Sequence, residues 1–363
     1  PELPSIMARA AVAREAAPEP REGAARVCVE LVDDASRRAL GPGEVEIAVR
    51  ACGLNMPDLL QLADRYQHRA DFPFTPGLEF AGVVTRVGSD CADFRVGDHV
   101  MAQARGGGLA TSAIAKGADC VRLPPNFDFA QGAAFRVGFE TAYHALVERA
   151  NIQPTDIVLV SGATGGMGLA AAQLAKQVFG CTVIALGGAD DKLQVVRKVA
   201  QVDHVINYTT SPVFADRVKE LTGQRGVDVV FDTVGGTVFD QALRCTGFGA
   251  RVLVVGFTSG SPSKVASNYA LIKGLLILGC RAGEFPARHP DGWRSVVGPR
   301  RARLMAFAER GWITPHISHR FQLTTQGVRD AFSTMLDRKV VGRVVVEMGA
   351  EHDGSDHHTH SKL

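Results

Sequence analysis

The chain has 363 residues, 46% apolar and 21% charged, with 40 Lys and Arg against 38 Asp and Glu for a formal net charge of +2. That length suits two domains, and the near-balance of charge excludes a general polyanion-binding field or a basic nucleic-acid tail. No apolar run approaches the roughly 18–20 residues needed to cross a bilayer, and the longest, such as Leu275–Leu278, are strand-sized.

In chain order, Pro1–Ile6 precede Met7, which suits a natural start, and are set aside from the fold reading. The arginines that follow are interrupted by Glu15, Glu19 and Glu22, against a mitochondrial presequence. From about 8 to 131 the chain reads as short strands punctuated by Gly and Pro, including Val45–Val49 and Gly82–Gly88, which predicts a β-rich, barrel-like domain. From 132 to 295 strand and helix alternate. Strands are expected at Ile157–Val160, Val183–Leu186, Val205-Ile206, Val227–Phe231, Arg251–Val255 and Leu275–Leu278, with helices at Leu169–Val178 and Lys192–Ala200. Repeated units of this kind predict an α/β fold, a doubly wound parallel sheet covered on both faces. Residues 296–349 carry two helical stretches, Pro299–Arg310 and Thr325–Asp337, and a closing strand, Gly342–Glu347, that return to the β-rich domain. Residues 350–363 read as a disordered tail.

The strand Ile157–Val160 runs into Ala163-Thr164-Gly165-Gly166-Met167-Gly168 and then a helix, the context a dinucleotide turn requires. Gly165 lets the backbone approach a pyrophosphate, Gly168 lets the helix pack on the strand, and the helix N-terminus offers N–H groups and positive dipole to the phosphates. An NAD site usually has an acid at the end of the second strand. Here that strand ends in Gly187-Gly188, and the next cation is Lys192, able to meet a 2′-phosphate; Asp190 and Asp191 read as first-turn residues of the following helix. These features point to NADPH. Seven dispersed cysteines, no two of them two or three residues apart, fit neither a disulfide framework nor a cysteine-rich zinc site; they read as small apolar residues of a reducing compartment.

With Pro76–Val84, Val96-Gly97-Asp98-His99-Val100, Gly165–Gly168 and Asp232-Thr233-Val234-Gly235-Gly236 in order, the chain resembles the medium-chain dehydrogenase/reductase superfamily, and within it the zinc-independent NADPH:quinone oxidoreductases. The resemblance implies a GroES-like catalytic domain (8–131 and 296–349) and a Rossmann cofactor domain (132–295). At two blocks where zinc-dependent members carry metal ligands, this chain has Asn55 and Leu78, with Cys52 three residues early, and only Cys91 and Cys120 lie where a structural zinc lobe would be. Leu cannot bind a metal and an Asn amide is a poor zinc ligand, so no metal site is expected. Hydride then has to reach an acceptor that is already electron-poor, a quinone or a conjugated alkene.

By the same resemblance Asn55 faces nicotinamide and acceptor, and Tyr66 lines the pocket or donates a proton. Thr141 approaches the nicotinamide, while Ala163, Thr164, Gly165, Gly166 and Met167 cradle the pyrophosphate. Gly188, Lys192 and Tyr208 grip the 2′-phosphate, and Val234, Gly256, Phe257 and Thr258 flank the nicotinamide ribose. Asn268 and Arg343 are further cofactor candidates. His99 reads as structural and His68 as solvated surface. Arg300, Arg301 and Arg303 read as a solvated helix face, or as contacts to a coenzyme A phosphate in the rival reading of a 2-enoyl-CoA or enone reductase. A third reading is a catalytically idle NADPH- or RNA-binding protein, against which the charge and the lack of a basic-aromatic patch weigh. A homodimer joined at the edge strand Leu275–Leu278 is expected from the resemblance. The terminal Ser361-Lys362-Leu363 is a peroxisomal import signal, so an import receptor and a peroxisome or glycosome-like organelle are expected; the nearby His352, His357, His358 and His360 read as soluble spacer.

Overall fold

The computed structural model describes residues 7–33, 38–288 and 291–349. The terminal tripeptide, the tail histidines and Pro1–Ile6 lie outside these. Two sheets dominate. The parallel sheet takes its strands in the order His204–Asn207, Thr182–Gly187, Ile157–Val160, Val227–Asp232, Thr246–Val254, Leu276–Gly279. Numbered along the chain that is 3-2-1-4-5-6, a doubly wound order with its switch point between Ile157–Val160 and Val227–Asp232. Val158, Leu159 and Val160, Val183–Leu186 and Val229–Phe231 are wholly buried, because β-branched and apolar side chains on both faces meet covering helices.

The second sheet is seven-stranded and mostly antiparallel. Glu44–Gly53 pairs with Glu79–Val87 and with Ser112–Lys116, and Arg343–Glu347 returns from the far end of the chain to pair with Ala51–Gly53. Glycine makes the tight approaches possible. A Cβ at Gly82 would meet the Ala48 carbonyl oxygen at 2.1 Å, and one at Gly53 the Ala133 carbonyl oxygen at 2.0 Å.

The predicted helices form with shifted ends. The one expected at Leu169–Val178 starts at Gly166 and widens to a π turn over Leu174–Val178. The next starts at Asp190, so Asp190 and Asp191 do sit in its first turn, at the positive end of its dipole. His99 is exposed and lies tilted against Phe129, ring centroids 4.9 Å apart.

Two expectations are corrected. Arg300 and Arg301 of helix Gly298–Glu309 are not on a solvated face, whereas Arg303 is exposed as read. Arg300 is 2% exposed and holds Glu148 through two 2.8 Å bonds, and Arg303 donates to the Tyr143 hydroxyl at 2.9 Å. The Arg301 side chain is 14% exposed, beside Glu140 at 3.5 Å. A buried carboxylate needs a paired cation, and that need claims Arg300 and Arg301 rather than a phosphate. His68 is likewise not plain surface; its partner is described below.

Candidate active site

The glycine turn leaves the strand Ile157–Val160 at the switch point. Ala163 is buried, its N–H donating to the Leu186 carbonyl at 3.0 Å, and the Thr164 carbonyl accepts from the Gly342 N–H at 2.8 Å. The first bond of the helix runs from Leu169 N to Gly165 O at 2.9 Å, so Gly166, Met167 and Gly168 present their N–H groups at the helix N-terminus. Gly165 is exposed, and a Cβ there would meet nothing closer than the Gly162 oxygen at 3.5 Å. Gly168 has no such room, since a Cβ would meet that same oxygen at 2.2 Å. An open backbone cradle beside a tight helix-packing glycine fits a dinucleotide pyrophosphate.

At the end of the second strand, Gly187 and Gly188 lie under Tyr208, whose N–H donates to the Gly187 carbonyl at 3.0 Å. Lys192 Nζ donates to the carbonyl of Arg338, and the Arg338 guanidinium donates to the Thr258 carbonyl at 3.3 Å. Arg338 stands at positive φ (55°) just past helix Thr325–Leu336. It reaches from the second strand to the Gly256-Phe257-Thr258 loop, which is itself pinned by Thr258 N to Thr233 O at 3.0 Å and Ser259 N to Val234 O at 2.9 Å. Among the described residues neither Lys192 nor Arg338 is held in an ion pair, and both stand beside the end of the second strand. Beneath, buried Asp232 accepts from the Ser161 hydroxyl and from Val234 and Gly235 N–H at 3.2 and 3.0 Å, tying the two central strand ends together.

Asn55 stands at the start of helix Met56–Leu62, brought to Arg343 because Leu54 N donates to Val344 O at 3.0 Å. Arg343 Nη1 donates to Asn55 Oδ1 at 2.7 Å, and Nη2 is ion-paired with Glu79. Asn55 Nδ2 reaches Glu79 Oε2 at 3.3 Å and the Gly53 carbonyl at 3.2 Å, and Val137 N donates to the other Glu79 oxygen at 2.9 Å. Burial raises the Glu79 carboxyl, against the pull of Arg343 and these donors. Asp58, wholly buried, accepts from the N–H groups of Asn55, Gly77 and Leu78 at 2.8, 2.9 and 3.1 Å, yet burial still pushes it up to about 6. Arg343 lies over the glycine turn: a Cβ at Gly166 would meet Arg343 Cδ at 2.5 Å.

The structure therefore brings Asn55, Arg343, Ala163, Thr164, Gly165, Gly166 and Met167 together at the crevice between the sheets. Gly188, Lys192, Tyr208, Val234, Gly256, Phe257 and Thr258 gather along its cofactor side. Tyr66 is half-buried, and burial raises its hydroxyl against the pull of the Arg281 charge. Thr141 is half-buried on helix Arg136–Tyr143, which packs on the glycine-turn helix. Asn268 is not joined to these groups by any contact among the described residues; it is exposed at the start of helix Ser267–Lys273. Arg338, Glu79 and Asp58 escape the sequence reading. A basic residue past a helix and acids inside a strand and helix carry no local signal of what they face.

Among the described residues no group of three or more His, Cys, Asp and Glu side chains could hold a metal ion. All seven cysteines are unpaired, and all but Cys28 are buried.

A doubly wound sheet with a dinucleotide turn, docked on an antiparallel sheet that supplies Asn55 and Arg343, defines an NAD(P)-dependent oxidoreductase of two domains. Residues 41–131 match the alcohol dehydrogenase GroES-like domain and 166–297 the zinc-binding dehydrogenase domain. The chain is 34% identical over 330 residues to quinone oxidoreductase-like protein 2 of Mus musculus, covering 89% of this chain and 92% of that one. Among solved structures it is similar to a probable oxidoreductase from Mycobacterium abscessus (30% identity, TM-score 0.82, 95% of this chain and 100% of that one). It is also similar to a mycobacterial protein solved in complex with NADPH (26% identity, TM-score 0.80, 94% and 100% covered). The chain belongs to the quinone oxidoreductase family of the medium-chain dehydrogenase/reductases.

Proposed function

We propose that this protein reduces quinones with NADPH and without zinc. The carrying observation is the Asn55–Arg343–Glu79 group: where a metal would polarise an alcohol there are an amide, a guanidinium and the aliphatic Leu78. NADPH supplies the hydride when bound. Gly165–Gly168 hold its pyrophosphate, and Lys192, Arg338 and Tyr208 select its 2′-phosphate. Asn55 is fixed through both atoms of its amide, and Arg343 adds positive charge beside it, which favours an acceptor oxygen that gains negative charge. Tyr66, half-buried with its hydroxyl held protonated, is the proton donor within this cleft. NADPH over NADH is supported by the absence of an acid at Gly187-Gly188 and by the two uncompensated cations.

Steady-state assays with NADPH and 1,4-quinones or 2-enoyl-CoA test this reading. Turnover of the quinones at higher kcat/KM supports it, and turnover of the thioester alone overturns it. The enoyl-CoA alternative loses the support it had from Arg300 and Arg301, which are engaged with Glu148 and Glu140, and keeps only the exposed Arg303.

Two further proposals accompany it. Leu276 and Ile277 on the edge strand are 54% and 38% exposed, and Phe248, Leu271 and Ile272 nearby are 86%, 83% and 72% exposed. This apolar edge supports a homodimer, which light scattering of the protein and of a Leu271→Glu/Ile272→Glu variant tests. Ser361-Lys362-Leu363 supports peroxisomal import, tested by the localisation of a fluorescent fusion with and without the tripeptide.

A further inference from the structure

Beside Tyr66 two loops meet, one from each domain. Tyr66 and His68 meet edge to face at 6.0 Å. His68 Nε2 lies 3.1 Å from Glu284 Oε1, from one loop to the other. The same carboxylate is shared with Arg281 Nη2 at 3.5 Å and Arg288 Nε at 3.8 Å. The loop that carries these groups is held in place. Phe285 packs tilted against His144 at 5.0 Å under the Arg149 guanidinium at 5.8 Å, and the N–H groups of Glu284 and Phe285 both donate to the Arg281 carbonyl, at 3.1 and 3.0 Å. Nearby Arg69 is 80% exposed, with Asp64 at 3.7 Å.

One half-buried carboxylate thus serves two guanidinium groups and an imidazole drawn from both walls. Arg281 and Arg288 are 54% and 81% exposed, and a single negative charge cannot neutralise both. Long contacts of 3.5 and 3.8 Å to the arginines also leave their N–H donors short of full hydrogen bonds. A site of this form is matched by an anion with more acceptor oxygens than Glu284 offers, arriving with the acceptor molecule. We propose that the physiological acceptor carries an anionic group, a carboxylate or sulfonate-like oxyanion, received by Arg281, Arg288 and His68 while Glu284 acts as its internal stand-in and gives way. This rests on the reading of the Asn55–Tyr66 crevice as the acceptor cleft, and it makes Arg281 and Arg288 specificity residues for that reaction.

The test uses the full chain and two acceptors that differ at one ring position, 2-methyl-1,4-naphthoquinone and 1,4-naphthoquinone-2-sulfonate, both with NADPH. Their intrinsic reactivities differ, so the quantity read is the ratio of kcat/KM values in each variant relative to the unmodified protein. Arg281→Ala and Arg288→Ala are expected to lower the ratio in favour of the sulfonate by about tenfold, leaving the neutral quinone within about twofold. Glu284→Gln is expected to raise it, and added salt to lower it, since exposed charges are screened within about 10 Å at 0.1 M. A ratio unmoved by both arginine variants, or moved equally with Glu284→Gln, overturns the proposal. If neither quinone is turned over, the quinone reading fails, and the anion site is judged by calorimetric titration with naphthalene-2-sulfonate. Binding lost in Arg281→Ala supports the site, and binding equal in both proteins overturns it.

Discussion

Arg343 Nη1 donates to Asn55 Oδ1 at 2.7 Å, joining two residues 288 positions apart in the chain. The bond exists because strand Arg343–Glu347 pairs with the end of Glu44–Gly53, and the partner strand Glu79–Val87 then supplies Glu79 beneath both. An amide fixed at both ends and a guanidinium held by a buried carboxylate form a rigid polar floor to the crevice.

Arg343→Met leaves Glu79 buried without its cation. Breaking a buried pair from one side costs about 3–5 kcal/mol, so a loss of that size is expected in urea unfolding. Adding Glu79→Gln removes the stranded charge, and the double variant is expected to recover a large part of it. A double variant no more stable than the single one would show that the ion pair is not what Arg343 contributes.

Gly165 and Gly168 separate cofactor approach from helix packing. Gly165→Ala has room in the folded chain and no positive φ, so its Tm is expected to stay within about 2 °C while NADPH affinity falls at least tenfold. Gly168→Ala drives a Cβ into the Gly162 carbonyl and is expected to lower Tm sharply. Equal NADPH binding by Gly165→Ala, measured by titration of nicotinamide fluorescence, would remove the pyrophosphate from this turn.

Arg338 and Lys192 converge on the end of the second strand from different domains. Arg338→Ala and Lys192→Ala are each expected to raise KM for NADPH by about 10- to 100-fold, the worth of a charge-assisted hydrogen bond, with NADH turnover unchanged. Parallel loss with both cofactors would mean that the two cations serve folding rather than the 2′-phosphate.

Asp58 sets a pH dependence of stability. Its folded value of about 6 lies above the ordinary value of about 3.9, so the native chain binds this proton more tightly than the unfolded one. The stabilisation is fully present below about 3.9 and is lost as pH rises through about 6, worth about 2–3 kcal/mol. Asp58→Asn cannot titrate, and its amide cannot accept from N–H groups on both sides. The variant is expected to be less stable than the unmodified protein at pH 4.5, with the gap narrowing by about 2 kcal/mol by pH 7. A gap constant with pH in urea unfolding would place the Asp58 proton elsewhere.

What the sequence determined by itself is what local chemistry dictates. The run Ile157–Val160, the glycines Gly165 and Gly168, and the bare Gly187-Gly188 announce a strand, a dinucleotide turn and the lack of an acid, because turn geometry and β-branched packing act within a few residues. Asn55 and Leu78 gained meaning only through the family resemblance, which marks them as positions where zinc-dependent members carry metal ligands. Tertiary structure alone decided which distant groups face each other. Arg338 looks like any basic residue after a helix until the fold lays it against Lys192 and Thr258. Arg300 looks like an exposed helix cation until Glu148 claims it. His68 looks like loop surface until Glu284 meets it across the cleft. Asn55 began as one candidate polar residue and became one end of a locked group, since its partners Glu79 and Arg343 come from strands that only sheet pairing brings together.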